Sequence, residues 1–146
     1  MPLLGPVRFH GKHGFVNAEG EWVIDPIFEE LGDMREGLAS LPAGGKLGFI
    51  NERGEVVIEP RFDIPRDGCH LCGFSEGLAA VELDGKMGFI NTRGEMVIEP
   101  RFRRQGSFRN GFARMEYEGK VGYVNRSGRI VWERALEYDA QLKMWL

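Results

Sequence analysis

The sequence predicts an all-β protein, a tandem repeat of four three-stranded antiparallel meanders stacked as a β-solenoid-like array with a short C-terminal helix. Three observations predict this fold. A Gly-Lys-x-Gly-aromatic motif begins at Gly11, Gly45, Gly85 and Gly119, and an Asn-x-x-Gly motif with three apolar residues after it follows each copy. Glycine accounts for 21 of the 146 residues, about twice its ordinary usage of about 7%. A closed propeller-like ring is the alternative architecture.

The turn motifs divide each repeat into three strands. The first strand ends at an X-Gly pair that supplies the positive φ of a two-residue hairpin, and these pairs are His10-Gly11, Gly44-Gly45, Asp84-Gly85 and Glu118-Gly119. The second strand ends at an Asn whose side chain bonds its own backbone two residues on. The third strand has three successive apolar residues, which predicts burial on both faces. A proline is expected to end it by removing a ladder donor, at Pro26, Pro60 and Pro100.

The repeats fill one domain, residues 1–146, with units at approximately 3–34, 35–74, 75–108 and 109–133. All ten Phe occupy repeat-equivalent positions, which predicts that they pack in the core and between units. After the last unit, apolar residues recur at a helical spacing and predict a capping helix over 134–146. They are Ala135, Leu136, Tyr138, Leu142, Trp145 and Leu146. A helix that docks a partner is the alternative interpretation.

Composition and charge argue against binding to nucleic acid or membranes and against a disulfide-stabilised fold. The net charge of -3 gives no electrostatic reason to bind nucleic acid or an anionic membrane. No stretch is apolar enough to span a membrane, and the first residues have no secretory h-region. Two cysteines are too few for a disulfide scaffold. We therefore expect a cytoplasmic protein that binds neither nucleic acid nor membrane.

These motifs resemble the WG repeat family of bacterial tandem β repeats. The family pattern is Gly-Lys-Trp-Gly-aromatic-Ile-Asn, a glycine turn, an apolar strand, an aromatic and a returning Ser-Glu-Gly-Leu-Ala. The stretch from Phe74 to Phe102 matches it most fully, and the resemblance covers roughly residues 4–133. The Trp that names the family is replaced by His13, Leu47, Met87 and Val121. The resemblance implies an interaction or scaffolding role and no active site.

One segment breaks the repeat. Six residues are inserted between Phe62 and Phe74 relative to the other units, and insertions in repeat proteins often form the binding face. Arg66, Asp67, His70 and Leu71 in this loop are therefore predicted partner-binding residues. Outside the loop, Arg103 and Arg104 belong to an arginine cluster beside acidic residues. The ordinary interpretation is a solvated, locally paired surface, and a patch for an acidic partner is the alternative.

The same loop holds both cysteines, Cys69 and Cys72. A Cys-x-x-Cys pair supplies two zinc ligands, and His10 and His13 are the candidates to complete a Cys2His2 set. The main expectation is two unliganded thiols and no cofactor. Zinc is the first alternative, and a redox pair or disulfide is the second.

No nucleophile motif, phosphate loop or zinc-protease motif occurs in the sequence. We therefore predict no catalytic residues and a non-enzymatic module that binds another protein, in one version as an inhibitor or immunity-type binder. A metal-binding or redox protein that uses Cys69 and Cys72 is the alternative function.

Overall fold

The computed structural model describes residues 4–64 and 73–145, and the regular structure in these residues is entirely β-strand. The first sheet contains β1 (Gly5–Phe9), β2 (Lys12–Val16) and β3 (Trp22–Phe28). The second contains β4 (Leu38–Ala43), β5 (Lys46–Asn51), β6 (Val56–Asp63), β7 (Phe74–Ser75), β8 (Leu78–Leu83), β9 (Lys86–Ile90) and β10 (Met96–Phe102). The third contains β11 (Arg104–Gln105), β12 (Phe112–Tyr117), β13 (Lys120–Asn125) and β14 (Ile130–Ala135).

All strand pairs are antiparallel, and no sheet in the described part of the chain closes into a barrel. The all-β class and its repeated antiparallel hairpins are therefore confirmed. In residues 4–64 and 73–145 no helix is long and apolar enough to cross a bilayer.

The predicted C-terminal helix over 134–146 is wrong. β14 continues to Ala135, which pairs with Lys120 of β13, and the Leu136 N–H donates to the Gly119 carbonyl at 2.8 Å. The remainder forms a small hairpin of β15 (Tyr138–Asp139) and β16 (Met144–Trp145). A single helix this short is marginal in water, whereas strand pairing satisfies the backbone along an edge that already exists. The backbone hydrogen bonds therefore outweigh the apolar spacing.

The predicted turns are confirmed. Both residues of each hairpin pair have positive φ, for example Asp84 (φ 52) with Gly85 (φ 81). Each Asn of the Asn-x-x-Gly motif accepts two backbone N–H bonds, as Asn51 Oδ1 does from Arg53 at 2.9 Å and Glu55 at 3.0 Å. The repeated Asn and Gly therefore serve local backbone geometry.

The third strand differs from the prediction in two ways. β3, β6 and β10 run through their prolines, because each proline lies in a β-bulge that pairs irregularly with the second strand. The bulge brings the third strand close to the second: a Cβ on Gly48 would lie within 3.0 Å of the Ile58, Glu59 and Pro60 backbone. The glycine of the repeat is therefore required by close backbone approach.

The third strand is also not buried on both faces. In units 1 to 3 only the last of the three apolar residues is buried, as Ile58 is, whereas Val56 and Val57 are exposed. The exposed side chains include a valine at the same position of every unit, at Val23, Val57, Val97 and Val131. Continuous apolar sequence therefore does not indicate a strand covered on both sides here.

In the part of the chain that the structure describes, the core consists of three apolar clusters, and each cluster joins two consecutive units. The buried isoleucine of each third strand faces the glycine turn of the next unit: a Cβ on Gly54 would lie 3.3 Å from Ile24, and one on Gly94 would lie 3.2 Å from Ile58. Phe49 and Phe89 make edge contacts with Phe74 and Phe108 at 4.9 and 4.7 Å. The isoleucine–glycine contacts thus join consecutive units, while the ring contacts hold each aromatic of the second strand within its own unit.

The prediction that all ten Phe are core residues is wrong for two of them. Phe9 and Phe112 are exposed, at 51% and 46%. Phe9 lies in unit 1 and Phe112 in unit 4, and among the described residues neither ring is covered by a neighbouring unit.

Candidate functional site

A groove of about 500 Å³ lies between the β12–β13 hairpin and the chain segment after β10. Two of the predicted partner-binding residues, Arg103 and Arg104, line it together. The other lining residues are Glu116, Tyr117, Glu118, Gly119, Lys120 and Leu136. The groove therefore combines the arginine cluster of unit 3 with the hairpin of unit 4.

Backbone hydrogen bonds fix the walls of the groove. The Arg103 N–H donates to the Glu116 carbonyl at 2.8 Å, which attaches the segment after β10 to β12. The Leu136 N–H donates to the Gly119 carbonyl at 2.8 Å on the other side. Glu118 (φ 46) and Gly119 (φ 76) form the tight turn at the end of the hairpin. The groove is therefore held by paired backbone rather than by side chains alone.

The charges of the groove are mixed and partly paired. Arg104 Nε lies 3.8 Å from Glu116 Oε2, and Lys120 Nζ lies 3.6 Å from Glu133 Oε1. No carboxylate of the described residues lies within ion-pair distance of the Arg103 guanidinium. Arg103 is exposed and therefore offers an unneutralised cation at the edge of the groove.

Tyr117 gives the groove an aromatic wall with a fixed phenol. Its hydroxyl donates to Glu133 Oε2 at 2.8 Å, and its ring meets Phe102 edge-on with centroids 6.1 Å apart. The hydrogen bond to the Glu133 carboxylate raises the pKa of Tyr117 above its ordinary value of 10.0, because that bond is lost when the phenol ionises. Tyr117 is therefore a neutral donor across the physiological pH range.

This arrangement suits binding. Leu136 and the Tyr117 ring provide apolar contact, and Arg103 provides a charged donor for a carboxylate. The lining side chains are ion-pairing and packing groups, with no nucleophile beside a general base among them. A short peptide segment that carries a carboxylate next to an apolar side chain would complement the groove.

The remaining predicted site residues fall into two groups. Arg66, Asp67, His70 and Leu71, together with Cys69 and Cys72, lie outside the described residues. The chain leaves β6 at Ile64, which packs against the cluster shared by units 2 and 3, and it returns at Gly73. The predicted roles of the inserted loop therefore stay predictions.

His10 and His13 lie on the first hairpin. His10 occupies the turn with φ 50 and meets the Phe9 ring at 4.2 Å, while His13 pairs with Arg8 and Phe28 in the sheet. Within residues 4–64 and 73–145 no group of three or more His, Cys, Asp or Glu is arranged to hold a metal ion. The zinc hypothesis thus depends on the two cysteines, which the structure does not describe.

Six of the eight lining residues were assigned to no site by the sequence analysis, and three of these six show the reason. Lys120 follows a hairpin turn, where a lysine is ordinarily solvated. Tyr117 stands where other units have Phe9, Ala43 and Leu83, and the phenol hydroxyl at this position was the available signal. Leu136 was assigned to the helix, and it reaches the groove because β14 is a strand.

Comparisons with known proteins agree with the repeat motifs. The model of the family described as WG containing repeat matches residues 14–41, 48–64, 72–86 and 87–120. No curated protein matches the chain.

Among solved structures, the chain is similar to a protein of unknown function from Bacteroides caccae, with 14% identity and a TM-score of 0.37. The match covers 97% of this chain and 63% of the length of that protein. The family match extends over more than half of the sequence, and the chain therefore belongs to the WG containing repeat family.

Proposed function

We propose that this chain is a non-enzymatic protein-binding module that works without a cofactor. The observation that carries the proposal is the groove between units 3 and 4, which is lined by Arg103, Tyr117 and Leu136 and in which Arg103 has no ion-pair partner among the described residues. An open array of four three-stranded units would present this groove and the inserted loop on a rigid scaffold. Rigid scaffolds lower the conformational cost of binding.

We propose an acidic peptide segment of another protein as the occupant. A guanidinium next to an aromatic wall binds a carboxylate with geometric specificity. Glu116 and Glu118 disfavour a segment with many negative charges, so one or two carboxylates flanked by apolar residues fit best. An inhibitor or immunity-type binder in the cytoplasm is a version of this proposal.

The test uses Arg103→Glu with Arg109→Glu as the matched control. Arg109 is also exposed, and its side chain does not line the groove. A displayed library of random peptides selects binders of the wild-type protein, and fluorescence anisotropy then measures their affinity for each variant. We expect selected peptides to contain Asp or Glu next to apolar residues. Arg103→Glu should weaken them at least about tenfold, since charge-assisted hydrogen bonds contribute about 1.5–3 kcal/mol.

Two results would overturn this function for the groove. One is selection of peptides without acidic residues. The other is equal loss of affinity in Arg103→Glu and Arg109→Glu. A variant that lacks residues 65–72 tests the inserted loop in the same assay, and full retention of binding by that variant would exclude the loop as the contact surface for these peptides.

A further inference from the structure

The last unit exposes side chains at positions that are buried in every earlier unit. Tyr123 is 45% exposed and Trp132 is 51% exposed. The equivalent residues of units 1 to 3 are almost fully buried; they are Phe15, Phe49 and Phe89 for the first position and Ile24, Ile58 and Ile98 for the second. These positions form the side of each unit that packs on the next unit.

We call Phe112, Tyr123 and Trp132 the C-face. Phe112 corresponds to the buried Leu38 and Leu78, and it is 46% exposed. The Tyr123 and Trp132 rings lie 6.1 Å apart, and Arg114, which pairs with Tyr123 in the β12–β13 register, adds a polar rim. An exposed aromatic cluster at this place marks an interaction surface.

The first unit exposes the opposite half of the same junction. We call Val7, Phe9, Val16, Gly20 and Trp22 the N-face. The β1–β2–β3 register places its apolar side chains on one side of the first sheet. Phe9 and Trp22 are both exposed, with ring centroids 6.1 Å apart. The equivalents of Val7 and Val16 in the later units are buried against the preceding unit; they are Leu41, Val81 and Met115, and Ile50, Ile90 and Val124.

The glycine turns show the same complementarity. At the three junctions inside the chain, an isoleucine of one unit contacts the glycine turn of the next, and these turns contain Gly54, Gly94 and Gly128. Gly20 forms the equivalent turn of unit 1, and no described atom other than its chain neighbours lies within 4 Å of a Cβ built there. Trp132 stands in the isoleucine position of unit 4, and the Gly20 turn of the N-face is the counterpart of the turns that the isoleucines contact inside the chain.

We propose that two copies of this chain associate head to tail, with the C-face of one copy packed on the N-face of the next. The contact would continue the junction that consecutive units already form within the chain. Because the two faces differ, each dimer keeps one free face of each kind, and longer oligomers or a ring follow at higher concentration. The proposal goes beyond peptide binding in the groove and does not depend on it.

The first experiment measures the mass of the full chain by sedimentation velocity over a dilution series. The series extends to about 1 mM, so that association with a Kd as weak as about 1 mM is detected. The variants are Trp132→Asp on the C-face, Trp22→Asp on the N-face and Val97→Asp as the control. Val97 is 41% exposed, close to the 42% of Trp22, but belongs to neither face. We expect the wild type and the control to associate alike. Each face variant should need a concentration at least about tenfold higher than the wild type needs to associate, because it loses an aromatic side chain at the centre of the contact.

The second experiment mixes the two face variants. Trp132→Asp keeps an intact N-face and Trp22→Asp keeps an intact C-face, so the mixture should form 1:1 dimers and nothing larger. Each variant alone should stay monomeric at that concentration. A symmetric contact between identical surfaces does not produce this pattern. If Trp132→Asp fails to fold by circular dichroism, Tyr123→Arg replaces it.

Three outcomes overturn the proposal. The wild type stays monomeric to about 1 mM, or Val97→Asp weakens association as much as the face variants do, or the mixed variants form no dimer. If the wild type is monomeric and binds a different protein that Trp132→Asp no longer binds, self-association is excluded and the C-face is the binding surface for that protein. Peptide binding to the groove is measured with other variants, so its failure and the failure of self-association are distinguishable.

Discussion

The junction between units 1 and 2 differs from the two later junctions, although all three use the same apolar packing. At each later junction an arginine of one unit donates to the glycine turn of the next: Arg61 Nη2 reaches the Gly94 carbonyl at 2.6 Å, and Arg101 bonds the Gly128 carbonyl. The equivalent residue of unit 1 is Ile27, which is 68% exposed. The first junction therefore lacks this hydrogen bond.

Other connections also favour the later junctions. The Gly77 and Gly111 N–H groups each donate to a glutamate of the preceding unit, Glu36 and Glu76, at 2.8 Å. The backbone of Asp63 in β6 pairs with that of Glu82 in β8, which joins units 2 and 3 in one sheet. The strands of unit 1 form a separate sheet. The first junction has one backbone hydrogen bond, from the Gly32 N–H to the Ser40 carbonyl at 2.9 Å, and the later junctions add the directional bonds described above to the same apolar packing.

This difference has a consequence for stability. Each apolar cluster joins two consecutive units, and where repeats contact their sequence neighbours, stability is approximately the sum of unit terms and nearest-neighbour interface terms. A unit with fewer hydrogen bonds at its interface opens at lower free energy than units with more of them. We therefore expect unit 1 to unfold before units 2 to 4.

The largest predicted effect contrasts Gly94→Ala with Gly20→Ala. Both glycines have left-handed φ, +82 and +79, so an alanine costs about 1–2 kcal/mol at either site. At Gly94 the new Cβ would also lie 3.2 Å from Ile58 Cγ2 and 3.1 Å from Arg61 Nη2, which adds about 1–3 kcal/mol for overpacking. Denaturant unfolding at low protein concentration measures the free energy of unfolding of each variant.

Equal destabilisation by Gly94→Ala and Gly20→Ala would contradict the idea that the interior turn is a packed junction. Gly85→Ala is a useful control because it also has positive φ (+81) in open space. It should match Gly20→Ala, since both report backbone strain alone.

A smaller effect is expected from restoring the missing arginine. Ile27→Arg should stabilise the first junction by about 0.5–1 kcal/mol, because a guanidinium there is placed to bond the Gly54 carbonyl as Arg61 bonds Gly94. Arg61→Met should destabilise the second junction by about 1 kcal/mol. Hydrogen exchange resolved by residue measures opening of unit 1 separately from the rest.

Ile27→Met is the control for the arginine side chain, since it changes the shape of the residue and supplies no donor. The prediction requires slower exchange in β1 to β3 for Ile27→Arg and unchanged exchange for Ile27→Met. Faster exchange in both variants would mean that Ile27 itself stabilises the first junction.

Much of the fold could be predicted because its signals are local. Asn51 bonds the next turn through its own side chain, and Asp84-Gly85 sets a hairpin within two residues. Features that depend on pairing with strands far away in the sequence were missed by the sequence analysis. The bulge at Pro60 follows from pairing with β5, and the strand at Ala135 depends on the free edge of β13. Neither partner is visible in the local sequence.

The groove was predictable only in part for the same reason. Arg103 and Arg104 are adjacent in sequence and formed a visible cluster. Leu136 and Tyr117 join them because β12, β14 and the segment after β10 meet in space. Assigning Leu136 to a helix removed it from consideration, so one error in secondary structure hid a wall of the site.

The smallest predicted effect compares equivalent ion pairs of units 1 and 2. Glu29 accepts a hydrogen bond from Lys12, which with the lysine charge lowers the pKa of Glu29 below 4.5. Because the folded pKa is depressed, this contribution to stability is present above pH 4.5 and is lost as pH falls through the folded value. The Asp63 hydrogen bond instead raises the pKa of Lys46 above 10.5, so that contribution is lost as pH rises past the raised value.

Both pairs contain exposed groups, but they differ in their connections. Asp63 also accepts the Asp84 N–H at 3.0 Å and so links unit 2 to unit 3, whereas Glu29 is 77% exposed. We expect Lys12→Met to return the Glu29 pKa towards 4.5 in a carbon-detected NMR titration, with no measurable change in Tm at pH 7. Lys46→Met should lower Tm at pH 7, and this loss should vanish above the Lys46 pKa. If Lys12→Met leaves the Glu29 pKa unchanged, the Lys12 ion pair does not cause the lowered pKa. If both variants lower Tm equally, the Asp63 link to unit 3 adds nothing to the stability of its ion pair. Either result would contradict this distinction between the two units.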